Sequence, residues 1–88
     1  MEREELEKIF DETKSSWNGD NAMQGLHVIG KYFDIKKKDI LCDAAHDIIY
    51  SVEVDEILEA GLTEEDAKTL AKLNWMIDKE LNCLACFT

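Results

Sequence analysis

The chain has 88 residues, with 20 acidic against 10 basic side chains for a formal charge of -10, and it contains no proline. A chain this short closes one small core, and at 45% hydrophobic and 34% charged it is too apolar for intrinsic disorder and too charged to span a membrane. No apolar run approaches the roughly eighteen residues of a spanning helix, and the deficit of Lys and Arg disfavours nucleic acid as a direct ligand, because phosphate binding is driven by cations.

Met1-Glu2-Arg3-Glu4-Glu5 is the reverse of a secretory signal, which needs positive charge and then an apolar stretch. Cys42, Cys83 and Cys86 are an odd number of thiols, so reduced cysteines in a cytosol are expected rather than a disulfide framework, and the expected location is cytoplasmic. The charge is unevenly placed. Residues 39 to 67 hold ten acids and no Lys or Arg, whereas the remainder balances ten acids against ten bases. The net charge therefore belongs to one continuous segment.

Taken in chain order, residues 2 to 14 read as an amphipathic helix with Leu6, Ile9, Phe10 and Thr13 on one side. Ser15 to Asn21 is a break of turn residues holding Trp17, after which Asp20 or Asn21 caps a second helix with Ala22, Leu26, Ile29 and Phe33 as its buried stripe. Gly25 and Gly30 within that helix each cost on the order of 1 kcal/mol relative to alanine, unless they mark a close packing contact. Lys36-Lys37-Lys38 is a basic knuckle, and Asp39 to His46 carries no clear pattern. Asp47 to Val54 is dense in β-branched and aromatic residues and predicts a strand; helical spacing resumes from Val54 to Ala60, and Gly61 is the residue expected just past a helix end.

Leu62-Thr63-Glu64-Glu65-Asp66-Ala67 predicts a helix start: Thr63 accepts from the third helical residue, Asp66 reaches back in a shortened capping box, and Leu62 staples against Ala67. That helix runs through Leu70, Ala71 and Leu73 to about Asn74. From Trp75 onward, a continued helix would give an all-α bundle, whereas two short strands fit alternation better. Trp75 and Ile77 share one side of the first, Cys83, Ala85 and Phe87 one side of the second, with 79 to 82 as the turn. The expected fold is α+β, one domain over 1–88, with helices packed on a small three-stranded antiparallel sheet.

Ala45-His46-Asp47-Ile48-Ile49-Tyr50, Gly61-Leu62-Thr63-Glu64-Glu65-Asp66-Ala67, Leu73-Asn74-Trp75 and the closing Leu84-Ala85-Cys86-Phe87-Thr88 resemble small uncharacterised proteins of phage and bacterial genomes. The resemblance spans roughly residues 22 to 88, and it implies a small cytosolic α+β protein carried by mobile DNA, with no activity attached.

Chemistry-bearing groups offer two alternatives. Cys42, His46, Cys83 and Cys86 are a possible set of four zinc ligands, yet Leu84-Ala85 lacks the glycine of a knuckle turn and a strand would point Cys83 and Cys86 to opposite faces. His46, Asp47 and a thiol supply the residue types of a thiol enzyme, but adjacent strand residues diverge and no glycine-rich turn shapes an oxyanion site. The favoured reading is a non-enzymatic module without cofactor, carried by a phage or mobile element. Its acidic segment docks a basic protein surface through Glu53, Asp55, Glu56, Glu59, Glu64 and Glu65, acids that either solvate a face or occupy a phosphate-binding groove. Two sheet edges also make a homodimer an expectation.

Overall fold

The protein is described here by a computed structural model covering residues 1–15, 20–45 and 47–87. In chain order it places α1 (Arg3–Glu12), α2 (Asn21–Gly30), β1 (Asp43–Ala45), β2 (Ile48–Glu53), α3 (Val54–Glu59), α4 (Glu64–Lys72), β3 (Trp75–Asp78) and β4 (Cys83–Phe87). The fold is α+β, as the sequence predicts. The sheet has four strands rather than three, in the order β1-β2-β4-β3, with every neighbour antiparallel. The additional strand is β1, whose Asp-Ala-Ala has no β-branched or aromatic residue to announce it; pairing of Asp43 with Tyr50 and Ala44 with Ile49 makes it a strand.

Register decides which side chains share a face. Trp75 lies opposite Cys86, Ile77 opposite Leu84 and Ile49 opposite Cys86, so these five point to one side of the sheet. That side carries the core. Leu6 of α1, Ile29 of α2, Val54 and Ile57 of α3, and Ala67 and Leu70 of α4 are fully buried in the same cluster as Trp75, Leu84 and Cys86. All four helices described thus lie against one face. Between Tyr50 and Glu53 the register slips, with three steps of β2 matching two of β4, so a bulge at Ser51 and Val52 lets both turn inward. The buried Ser51 hydroxyl is satisfied by donating to the Ile40 carbonyl.

The tightest contact joins α2 to the sheet. Trp75 is buried with its indole laid on Gly25, where a β-carbon would fall 1.9 Å from the Trp75 Nε1. The same Nε1 donates to the Asn21 carbonyl at 3.0 Å. Gly25 therefore marks a close approach. Gly30 does not, since its nearest would-be contact is an ordinary 3.6 Å from Ile40. The helix ends at Gly30, so Phe33 packs against the core from beyond the helix rather than from its stripe.

Local signals act largely as the sequence predicts. Asp20 caps α2 by accepting from the Met23 N–H at 3.0 Å, and Gly61 takes a φ of +96° after α3. Asp78 accepts from the Glu80 and Leu81 N–H groups, each at 3.0 Å, to build the hairpin turn, which Asn82 closes at a φ of +55°. α4 departs in one detail: Thr63 accepts from the Asp66 N–H at 3.2 Å, but the Asp66 carboxylate turns away to Tyr32 and Lys31 instead of reaching back. The Thr63 N–H is taken up by the Tyr32 hydroxyl at 3.2 Å. Leu62 and Ala67, the expected staple, are both buried in the core cluster.

Gly25→Ala is expected to destabilise the fold by about 2 kcal/mol, overpacking outweighing the gain in helix propensity. Gly30→Ala is expected to be neutral or to stabilise by up to about 1 kcal/mol. Urea unfolding midpoints of the two variants check the pair.

Candidate functional site

Folding distributes the expected partner-binding acids. Asp55 and Glu59 on α3 line a shallow groove with Met1, Glu2, Arg3 and Leu58, while Glu64 at the start of α4 lines a different one with Glu5, Lys8 and Glu12. Glu53 ends β2, and Glu65 is exposed on the first turn of α4.

The segment also acquires cations from elsewhere in the chain. Arg3 approaches Asp55 at 3.7 Å, Lys38 pairs with Glu56, Lys31 with Asp66 at 2.9 Å and Lys68 with Glu64 at 3.3 Å. Asn82 joins the first of these by accepting from Arg3 and donating to Asp55 at 3.3 Å, which ties the start of α1, the hairpin turn and α3 together. The Lys38 ammonium, helped by the Glu53 N–H, holds the Glu56 carboxyl below the usual range. Among the described residues, Glu53, Glu59 and Glu65 carry no ion pair.

All three cysteines are free. Burial pushes each thiol upward, with Asp78, Cys42 and Glu53 adding to the effect at Cys83, and Lys38 opposing it at Cys42. None is primed as a thiolate. Cys86 faces the helices and Cys83 the other side of the sheet, as the register requires, so the two cannot ligate one ion. Among the described residues no cluster of three or more His, Cys, Asp and Glu side chains could hold a metal. His46 of the zinc alternative lies outside the described residues, as does Trp17.

The sequence leaves unstated which sheet face the helices leave bare. Ile48 lies opposite Phe87, and Tyr50 opposite Ala85, which in turn pairs with Met76. None of these five belongs to the core cluster. Three carboxylates frame them: Asp43 pairs with Tyr50 at the β1 edge, while Glu53 and Asp78 flank Cys83 at one end of β4. No Lys or Arg occupies a strand position on this face. Phe87 is 47% exposed, and Ile48, Tyr50 and Met76 are half-buried. The alternation of Cys83, Ala85 and Phe87 was the available signal; the missing information was the side on which the helices would pack.

A second apolar surface runs beside α2. Met23, Ile35 and Leu41, 53%, 65% and 50% exposed, line two adjoining grooves with Leu26, Ile40 and Ile49. Its charged neighbours are of both signs, with Lys31 on one groove and Asp20 on the other. No helix among the described residues is long and apolar enough to cross a membrane.

No protein-family model matches the chain, and comparison with curated proteins and with solved structures likewise gives no match.

The Asp66 site gives a pH signature. The Tyr32 hydroxyl and the Lys31 ammonium hold the Asp66 carboxyl below its ordinary value of 3.8. A carboxyl lowered in the folded state stabilises above its unfolded pKa, and that contribution is lost as pH falls through the folded value. Tyr32→Phe is expected to cost about 1 kcal/mol or less at neutral pH, at a partly exposed site. The difference from wild type should narrow as pH falls below the ordinary aspartate range of about 4 towards the lower value at which folded Asp66 protonates; urea titrations at pH 7 and in acid check this.

Proposed function

We infer that this protein is a non-enzymatic interaction module, carried by a phage or mobile element, that docks a basic surface of a partner protein. The observation that carries the reading is the surplus of carboxylates left after folding. The segment from 39 to 67 draws in Arg3, Lys31 and Lys38 from outside itself, yet Glu53, Glu59 and Glu65 keep no ion pair among the described residues. Exposed carboxylates of one sign raise the local concentration of a cationic partner and speed encounter. Asp55, Glu56 and Glu64 are already partnered by cations of the chain, so the expected contacts narrow toward the three acids without an ion pair, of which Glu53 also serves in the capping box of α3.

The mechanism has no chemical step. A partner's Lys and Arg side chains replace the counterions around these acids, and complementary charge sets the orientation in which apolar contacts then form.

Binding of a lysine-rich polypeptide to the full chain should weaken steeply as ionic strength rises from about 0.01 M to about 1 M, where the Debye length falls from about 30 Å to about 3 Å. The triple change Glu53→Lys, Glu59→Lys, Glu65→Lys should reduce affinity about tenfold or more. The matched triple Glu4→Lys, Glu5→Lys, Glu12→Lys on α1 should reduce it less. Titration calorimetry reads both, and affinity that is flat with salt, or equal losses from the two triples, overturns the reading.

A further inference from the structure

We propose that the sheet face left uncovered by the described helices is the docking surface for a basic amphipathic helix of the partner, received on Ile48, Tyr50, Met76, Ala85 and Phe87 between Asp43, Glu53 and Asp78. This rests on the interaction reading above and gives it a location and a ligand shape.

The argument begins with layering. A sheet with an apolar stripe on each side ordinarily buries both, and here the helices α1 to α4 cover only the side that carries Trp75, Leu84 and Cys86. On the other side two rows of side chains lie next to each other: Ile48 with Phe87, and Tyr50 with Ala85 and Met76. Ala85 is paired with both Tyr50 and Met76 and is smaller than either, so it forms the floor of a shallow trough between them. Four strands at about 4.8 Å spacing give a width of about 14 Å, which accommodates between two and three turns of helix.

Charge selects the occupant. Asp43, Glu53 and Asp78 frame the trough, and its strand positions carry no cation. A second copy laid face to face would bring six such carboxylates together with no strand-borne cation to neutralise them, counting these three from each copy. A helix whose apolar stripe is flanked by Lys and Arg meets both features at once. The grooves beside α2 are more exposed, but their mixed charges select no partner.

The test titrates isotopically labelled full chain with a synthetic Leu/Lys amphipathic helix of about five turns and, separately, with a lysine-only peptide. The expected result is that the helix shifts amide signals of β2, β3 and β4 around Ile48, Met76 and Phe87. The Tyr50→Ser/Phe87→Ser pair should then weaken it about tenfold or more, while Met23→Ser/Leu41→Ser leaves it unchanged. Should the first pair fail to fold, Asp43→Asn/Glu53→Gln/Asp78→Asn provides the second reading, with weaker binding and a shallower salt dependence expected. Shifts confined to α2, or to α3 and the start of α4, overturn the assignment of the face. So does a concentration-dependent doubling of mass that the Phe87→Ser change abolishes, since a second copy then fills the trough. Binding of the lysine-only peptide without preference for the helix defeats the face and leaves the charge-led reading standing; binding of neither defeats both.

Discussion

The approach of Trp75 to Gly25 is the constraint on which the arrangement turns. An indole pressed against a helix backbone fixes the distance and rotation of α2 relative to β3, and its hydrogen bond to the Asn21 carbonyl fixes the position along the helix as well. Helix and strand are far apart in sequence, so this one contact joins the N-terminal third of the chain to the hairpin. With α2 placed, Ile29 meets the core, and Tyr32 just beyond the helix reaches the cap of α4. The indole also commits the side of the sheet that bears Trp75, Leu84 and Cys86 to the helices, so the described helices leave the Ile48, Tyr50 and Phe87 side uncovered.

Elements announced by local chemistry were legible in the sequence. Asp20, Gly61 and Thr63 act within a turn of their own position, and the hairpin from Trp75 to Phe87 follows from alternation around a polar turn. What could not be read depends on distant partners. β1 is a strand because β2 offers an edge to Asp43–Ala45, and nothing in Asp-Ala-Ala shows it. The Asp66 carboxylate serves Tyr32 and Lys31, some 34 and 35 residues away, instead of its own helix end. Gly25 and Gly30 look alike in sequence, and only the position of Trp75 distinguishes them.

The candidate site shows the same division. Counting along the chain locates the acidic excess between residues 39 and 67, but not the returning cations, because Arg3 and Lys38 are brought to Asp55 and Glu56 by the packing of α3. The reading thereby shifts from a continuous acidic segment to a smaller set of acids. Asp78 joins the face from β3, outside that segment, while Glu53 belongs to both. The zinc alternative loses its Cys83 and Cys86 pair to strand geometry alone, since residues an odd number apart in β4 face opposite ways.

Strand order carries a consequence for biosynthesis. β4 is the last strand in chain order, yet it lies in the interior of the sheet, bonded to β2 on one side and β3 on the other. Until residues 83 to 87 leave the ribosome, β2 has no inner neighbour and Trp75 has no Cys86 opposite it. The helices can form locally as they emerge, but the core closes only once that strand is available to pair. Loss of those five residues removes the seam between β2 and β3, leaving β3 without a partner strand and β1 paired with β2 alone.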